Sequence, residues 1–422
     1  MSARGGASWS STYSKQYGKD RWSNLLQALS EPPNQLAFVA PNISHSALRY
    51  LLRKQRLVPC IIPNCLTCSD NAPVKENDAF NTNTAATVRG SQTTAAPTDC
   101  NASDGPFSVP PDSTAEASSC PALHENNTES VAIVDDDHVI EEARTKTYFL
   151  DGASALAAFV LEARPGEVVL DMCAAPGGKS LIISSMMSQA KLPSYIIGNN
   201  SMSYEIDSID NDDEAGGLLV CNDASRDRLA RLQATLTKFL PPYATAGQRL
   251  QFSCADVCKG GAFERFAPYD RILLDAPCSS DRHLLRKGGS AVAKWSQGTP
   301  KAHAERQLKM LLIASKLLKK NGILLYTTCS LSELENDGVI DKFLKKAKGN
   351  VKTLPLFDGE WPAEVRLEGA TANQDETTHE NAGRKSGSAL FSIEKLKHGY
   401  AMLPDVSRFG PMYFCRMQIL GH

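Results

Sequence analysis

Residues 167–180 read EVVLDMCAAPGGKS. The apolar run Val168-Val169-Leu170 has the length of a buried strand, Ala174-Ala175-Pro176-Gly177-Gly178 breaks it, and LIISSMM resumes as a helix. Strand, tight turn and helix start, in that order, open a doubly wound α/β sheet, whose ligands bind beyond the carboxyl ends of the strands. The two glycines are expected to let the backbone approach a ligand and to expose N–H groups at a helix N-terminus. Two phosphate-binding motifs fail here. A P-loop needs G-x-x-x-x-G-K-S/T, and Cys173 stands where its first glycine belongs. The fingerprint G-x-G-x-x-G is absent too. A glycine turn without a ligand is the bland alternative, and two downstream motifs speak against it by completing a site.

The alternation continues outward from this turn. Helix 181–189 is followed by an acidic stretch, 195–216, expected to be an irregular insertion. Strands are expected at 217–221, 250–254, 270–274 and 322–328, with a last alternating strand at 412–419. Helices are expected at 226–240, 303–319 and 334–346, and a polar loop at 369–388. Upstream, 17–29 reads as an amphipathic helix with Trp22, Leu25, Leu26 and Leu29 on one side, ended by Pro32-Pro33. A second helix, 44–57, turns Leu48, Leu51 and Leu52 inward. His45, Arg49, Arg53, Lys54 and Arg56 form its basic face, which is either solvated or turned to RNA. Residues 69–130 are mostly Asn, Thr, Ser, Ala, Asp and Pro, too polar to bury a core, and are expected to be a disordered insertion. A short strand at 131–134 and the run 148–152 lead into helix 153–161. The expected organisation is an N-terminal helical extension (1–68), the insertion (69–130) and an α/β domain (131–422) carrying the second insertion at 195–216.

Composition narrows the class. Hydrophobic residues make up 42% and charged residues 22%, as in ordinary globular proteins, and 45 basic residues against 47 acidic ones leave only local patches for nucleic acid: Arg49, Arg53 and Arg56 on the second helix, and Arg282, Arg286 and Lys287 after DAPCS. No apolar run reaches the roughly 18 residues of a membrane span. The 12 cysteines lack a disulfide-type spacing and are expected to be reduced. Cys60, Cys65 and Cys68 share a C-x4-C-x2-C spacing with some iron–sulfur proteins, but IIPN and LT between them read as strand end and turn, so a structural role is the default. The first 22 residues, Ser-rich and free of acids until Asp20, weakly resemble a mitochondrial transit segment.

Strand ends carry the chemistry. Asp171, Asp223, Asp256, Asp275 and Cys329 each fall at or near a strand's carboxyl end. Any one acid alone reads as a turn or helix cap; together they describe a nucleoside pocket. DAPCSSDRH places Cys278 three residues beyond Asp275, and TTCS places Cys329 at the next strand's end. Two such cysteines fit a disulfide, a metal pair or nucleophiles. Zinc wants at least one further ligand of clear spacing, and none is local, so no metal is expected. A nucleophile needs positive potential, which Lys179 and the turn N–H groups can supply.

CAAPGGK at 173–179, DAPCS at 275–279 and TCS at 328–330 resemble the Sun-domain RNA cytosine-5 methyltransferases, in the family's order and each on the expected element. The resemblance spans roughly residues 145–420 plus the N-terminal helices. DRH after DAPCS, the start YGKDRWSNLLQAL and the ending RFGPMYFCRM look most like the mitochondrial small-subunit ribosomal RNA branch; the two insertions depart from the compact family core.

The resemblance implies a Rossmann-like class I methyltransferase fold, a mostly parallel twisted sheet, and S-adenosylmethionine as methyl donor. Cys173, Ala174, Ala175, Pro176, Gly177, Gly178 and Lys179 would cradle the donor. Asp223 would hold its ribose, with Arg228 nearby, and Asp256 would lie by its adenine. Asp275 would stand near the reacting centre, Cys329 would be the nucleophile and Cys278 would help release the product. The chemistry is coherent. C5 of cytosine is a poor nucleophile until a thiolate adds at C6, and an acid at N3 stabilises the charge that develops. The base must leave its stack to reach both thiols. Implied partners are RNA, ribosomal RNA first, with the ribosomal small subunit or a mitochondrial termination-factor-like helical-repeat protein placing the enzyme. No membrane partner is expected, and a mitochondrial location is. A transfer-RNA substrate and an inactive RNA-binding scaffold are the alternatives; both cysteines and the strand-end acids speak against the scaffold.

Overall fold

The protein was analysed as a computed structural model that describes residues 4–68, 136–188, 194–198, 201–205, 217–245, 249–368 and 389–421. The expected disordered segment 69–130, the strand at 131–134 and the loop at 369–388 lie outside the described residues. Helices α1 (Arg4–Tyr17) and α2 (Lys19–Ser30) meet at Gly18, whose φ of 83° breaks the helix that the sequence suggested would run on from 17. The Ser-rich start is therefore a helix in its own right. Its Trp9 and Tyr13 pack with Trp22, Leu25 and Leu29 of α2 against Trp295, Leu331 and Leu403.

The next segment is mixed rather than helical, which corrects the expected extension. Strands β1 (Gln35–Val39), β2 (Leu57–Pro59), β3 (Cys65–Cys68) and β4 (Thr147–Asp151) pair antiparallel in the order β2-β3-β1-β4. Helix α3 (His45–Arg53) covers them through Ala47, Leu48 and Leu51. It ends before Leu57, which joins β2, because QLAFV, LVP and CLTC bury aliphatic side chains as strands do. β4 comes from beyond residue 135, so both flanks of the 69–135 segment belong to one unit. Burial pushes the Cys60 thiol up to about 12 and raises Cys65 well above its ordinary value, which suits packed cysteines.

The main sheet takes β5 (Val168–Asp171), β8 (Leu218–Asn222), β9 (Leu250–Ser253), β10 (Tyr269–Asp275), β11 (Leu318–Thr328), β12 (Val351–Thr353), β13 (Val365–Glu368), β14 (Phe391–Lys395), β15 (Tyr400–Met402) and β16 (Met412–Ile419). Between β5 and β8, β6 (Ser194–Gly198) and β7 (Ser201–Glu205) form a separate two-stranded antiparallel sheet, so the acidic insertion is not irregular throughout: SYIIG and SMSYE pair residue for residue. The order is β13-β14-β15-β16-β11-β10-β5-β8-β9, with β12 on β16. β9, β8, β5, β10 and β11 run parallel, and β16 inserts antiparallel beside β11.

The chain builds outward from β5 through β8 to β9, then crosses over to β10 and β11. The switch point, where an open α/β sheet opens a crevice, thus lies between β5 and β10. Alternate residues serve opposite faces. Val169, Leu273 and Leu325 pack under the Gly152–Phe159, Gly178–Met187 and Arg226–Phe239 helices, and Leu170, Ile272, Leu274 and Leu324 pack under the Gly298–Leu317 and Asp337–Ala347 helices.

Asp171, at the end of β5, is fully buried and accepts a hydrogen bond from Ser180 Oγ at 2.7 Å. That bond spans the glycine turn and ties the strand to the first turn of the next helix. Burial, opposed by the Ser180 hydrogen bond and the Lys179 charge, raises its carboxyl from the ordinary 3.8 to about 7. The folded state then keeps a proton that the unfolded chain releases. Its contribution to stability is complete below the ordinary 3.8 and is lost as pH rises through about 7. Asp171→Asn keeps the shape and removes the titration. The melting temperature of the variant is expected to fall less than that of the parent between pH ~4 and ~7; parallel curves would refute the assignment.

Candidate active site

Parallel pairing of β10 with β11 sets Asp275 opposite Thr327, and the Ala276 N–H continues the pairing to the Thr327 carbonyl at 2.9 Å. The chain leaves both strands at the same edge, so the DAPCSS and TCS turns run side by side. Their sulfur atoms, Cys278 Sγ and Cys329 Sγ, stand 3.2 Å apart, with Ser280 Oγ at 3.5 Å from the first and 3.4 Å from the second. Among the described residues both thiols are free.

A positive group faces one sulfur more than the other. Lys179 Nζ lies 2.7 Å from Asp275 Oδ2 and donates to Ser154 Oγ at 3.2 Å, while Asp275 Oδ1 accepts from Thr327 Oγ1 at 3.0 Å. Burial works against the Lys179 ammonium, but Asp275 raises its pKa above the ordinary value by charge and hydrogen bond. Cys329 is held below the ordinary thiol value, first by a hydrogen bond from Cys278, with Ser280 and Lys179 helping against burial and Asp275. Cys278 moves the other way, raised by its bond to Cys329, by burial and by the Cys329 charge. The hydrogen bond the two thiols share thus drives them apart, Cys329 down and Cys278 up, with Lys179 acting on the first and Glu335 on the second in the same sense.

The other predicted residues gather at the neighbouring strand ends. Asp223 is 3% exposed; its Oδ1 accepts from the Ser225 N–H at 2.9 Å and its Oδ2 lies 3.3 Å from Arg228 Nη2. The same Arg228 nitrogen donates to the Ala175 carbonyl at 2.8 Å, joining the β8 end to the turn after β5. Asn222 Nδ2 donates to the carbonyls of Met172 and Ala255, both at 3.0 Å, so three strand ends are laced together. Burial lifts the Cys173 thiol well above its ordinary value, and Asp275, Asp171 and Asp223 add to it; three carboxylates thus converge on the turn. Asp256 stands further out, capping Val257–Lys259 through the Cys258 N–H (3.1 Å) and meeting Arg306 at 3.2 Å.

Two expectations gain a structural account. Gly177 (φ +117°) and Gly178 answer to packing as well as to the expected ligand. A Cβ at Gly177 would meet Leu232 at 3.1 Å and Thr235 at 3.2 Å, and one at Gly178 would meet the Tyr148 ring at 3.0 Å. The first helical turn also has groups open to a ligand. Its first internal bond, Leu181 N–H to the Gly177 carbonyl at 2.9 Å, leaves the N–H groups of Gly178, Lys179 and Ser180 outside the helix ladder. Asp171, grouped by sequence with the pocket acids, is sealed under the turn by its bond to Ser180.

Sequence reasoning missed the layer beneath the thiols. Ser279 and Ser330, the residues after each cysteine, are 2.9 Å apart through their hydroxyls. Glu335 accepts from the Ser279 N–H (3.0 Å), Ser330 Oγ (2.8 Å) and Gln307 Nε2 (2.9 Å). Asp281 accepts from the Leu331 N–H at 2.9 Å. The recurring Cys-Ser pair was the available signal.

A family profile described as "16S rRNA methyltransferase RsmB/F" matches residues 209–368. The chain is 32% identical over 278 residues to the 5-cytosine rRNA methyltransferase NSUN4 of Bos taurus, covering 64% of this chain and 59% of the relative. It is 30% identical over 275 residues to the mitochondrial tRNA (cytosine(34)-C(5))-methyltransferase of Mus musculus (65% and 64%), and 33% identical over 207 residues to the tRNA (cytosine(49)-C(5))-methyltransferase of Pyrococcus abyssi (49% and 55%). The chain thus spans less than two thirds of the length of each of these relatives. Among solved structures, NSun6 from Pyrococcus horikoshii with SFG superposes with a TM-score of 0.53 at 16% identity, covering 98% of both chains, which establishes the class I methyltransferase fold. Over residues 209–368, which hold the DAPCS and TCS turns, the chain is thus similar to the RsmB/F methyltransferases.

Proposed function

We propose that this chain is an S-adenosylmethionine-dependent RNA cytosine-5 methyltransferase, forming 5-methylcytosine in mitochondrial small-subunit ribosomal RNA through a covalent bond between Cys329 and C6 of the base. The observation that carries the reading is the thiol pair at 3.2 Å, with Cys329 held low and Cys278 raised, beside the Lys179–Asp275 ion pair.

The residues present fit the donor. Asp223 offers a carboxylate at the end of β8, the position that suits vicinal ribose hydroxyls, and the first-turn N–H groups after Gly177, outside the helix ladder, suit its carboxylate. Arg228, whose side chain is 46% exposed, has room to yield the Asp223 oxygen it now faces. When bound, the donor supplies an electrophilic methyl group on a sulfonium. Asp256 and the 173–179 turn complete the set of residues assigned to hold it.

The chain's own groups do the rest. The Cys329 thiolate adds to C6, and the electron pair of the C5–C6 double bond moves toward N3. Asp275, held by Lys179 and Thr327, faces the base edge and accepts from N4–H, and the Lys179 charge behind it offsets the negative charge that develops toward N3 until C5 returns the electron pair to the incoming methyl group. Once C5 is methylated, its proton must leave and the Cys329–C6 bond must break. Cys278 is suited to this second half. Its thiol is raised first by its bond to Cys329, and that cause disappears when Cys329 becomes a thioether; Cys278 then releases its own proton to solvent and takes the C5 proton, the C5–H electron pair re-forms the C5–C6 double bond, and the Cys329 sulfur leaves with the C6–S pair.

Ribosomal RNA is favoured over transfer RNA by the resemblance of DRH at 281–283 and of RFGPMYFCRM to the ribosomal branch. The likeness to a mitochondrial enzyme supports the location. Affinity for RNA is expected to rest on few cations. Arg282, grouped by sequence with Arg286 and Lys287 as a phosphate patch, turns inward instead: its side chain is 11% exposed, lies 3.8 Å from Asp151 and donates to the Ala28 carbonyl at 3.0 Å. Arg53 and Arg56 remain exposed on the N-terminal segment. Placement on the target is therefore assigned to the assembling small subunit or to a helical-repeat partner.

Cys278→Ala should accumulate RNA covalently attached at Cys329, and Cys329→Ala should abolish both attachment and methylation; an adduct mapped to Cys278 would reverse the roles. The same assay run on small-subunit ribosomal RNA and on transfer RNA decides the substrate. Asp223→Ala should weaken donor binding by about 1.5–3 kcal/mol, the range of a hydrogen bond to a charged group, and calorimetry showing unchanged affinity would move the ribose contact elsewhere. Neutralising Arg49, Arg53 and Arg56 should weaken RNA binding and flatten its salt dependence by roughly one unit of slope for each phosphate no longer neutralised, with donor binding intact. Tight, sequence-selective binding by the isolated protein at physiological salt would contradict the need for a partner.

A further inference from the structure

The two cysteine turns are held from below by buried carboxylates, and the N-terminal helix reaches both. Trp9 of α1, 2% exposed, donates its indole N–H to Asp281 Oδ1 at 2.9 Å. The other oxygen of Asp281 accepts from the Leu331 N–H (2.9 Å), Ser279 Oγ (3.3 Å) and Ser330 Oγ (3.4 Å). The carbonyl of the same Leu331 accepts from Gln16 Nε2 at 2.7 Å and from Tyr17 OH at 3.0 Å, both at the end of α1. Gln16 Oε1 in turn meets the Glu333 N–H at 3.4 Å. Leu331 lies two residues beyond Cys329 and is fully buried, as is Asp281, three residues beyond Cys278. The Leu331 residue is therefore gripped at its N–H by a carboxylate that α1 orients, and at its carbonyl by α1 itself.

We propose that α1 is part of the catalytic centre, with Trp9 and Gln16 acting as positioning residues that set the Cys329 turn against Cys278. The inference rests on Cys329 being the nucleophile. The physical reason is geometric. A hydrogen bond between sulfurs depends steeply on separation and angle, and that bond, with Ser280 and Lys179, holds Cys329 low against its own burial. Asp281 is a two-sided acceptor. Removing the indole takes the donor from one oxygen in a buried place and frees the carboxylate to rotate away from Leu331. The turn then shifts, and displacements near 1 Å are enough to cost roughly a hundredfold in rate. α1 touches neither substrate nor donor in this scheme; it acts through Asp281 and Leu331.

The test uses the full chain carrying Trp9→Phe, which keeps an aromatic ring and removes the donor, and separately Gln16→Met, which keeps the length and removes the amide. Alkylation of Cys329 by iodoacetamide, followed by peptide mapping across pH, reports the thiolate without RNA or donor. Both variants are expected to move the pH midpoint of Cys329 alkylation upward, and to slow single-turnover methylation by about tenfold to a hundredfold with RNA and donor affinities unchanged. Midpoints and single-turnover rates equal to those of the parent, measured well below the melting temperature, would overturn the proposal, as would losses that match only the fraction unfolded. If the parent protein methylates no RNA, the functional reading fails by itself, and the alkylation profiles still decide whether α1 positions Cys329.

Discussion

The parallel register of β10 against β11 is the constraint on which the site depends. Because Asp275 faces Thr327 across the pair, turns that begin at adjacent strand ends bring together two cysteines 51 residues apart. The intervening chain spans the long Gly298–Leu317 helix, which packs back on the sheet, as a parallel connection demands. A slip of one residue in this pairing would turn Asp275 and Cys329 to opposite faces. The runs ILL at 272–274 and GILLYTT at 322–328 are buried on both sides, so the same slip would also break the packing of both helix layers.

Around this pairing the protein manages an unusual density of buried charge. Lys179 and Asp275 neutralise each other, which makes the ion pair tolerable beside a thiolate. Glu335 is satisfied by a backbone N–H, a serine hydroxyl and a glutamine amide rather than by a cation, and its carboxyl is still raised by burial. Oriented neutral donors of this kind fix geometry without attracting the reactive sulfur, whereas a lysine there would draw the negative charge toward the wrong cysteine. The serines after each cysteine are the contact points of that scaffold.

The two ends of the chain meet at the same place. The rings of Trp9, Tyr13 and Trp22 lie with their centroids within 5.6 Å of one another and pack on Leu331 and on Leu403, shortly before β16. Arg21 of α2 pairs with Glu394 and Asp405 on the same side. The cysteine turns are thus complete only when the first helices have docked on the last strands, so assembly of the site is coupled to the longest-range contacts in the fold.

The α/β order, the central strand, the strand-end acids and the two cysteine turns were legible in the sequence, because each depends on local period and on turn chemistry within a few residues. DAPCS and TCS stood at the ends of aliphatic runs, and an open sheet leaves one edge for such residues to serve. Which way side chains face once elements pack was not legible. Asp171 looked like a pocket acid and is sealed under Ser180; Arg282 looked like a phosphate contact and points to Asp151; that Leu232, Thr235 and Tyr148 pack against Gly177 and Gly178 was not visible in the turn's own sequence. The Ser-rich start offered no long apolar run, yet Trp9 and Tyr13 find a groove made by residues from the far half of the chain. Polarity of the two thiols was also a tertiary matter. Local pattern does not distinguish the two thiols; the hydrogen bond between them, with burial, Ser280, Lys179 and Glu335 around it, moves Cys329 down and Cys278 up. Local pattern fixes what an element is; the field and the neighbours at a site exist only after distant segments have met.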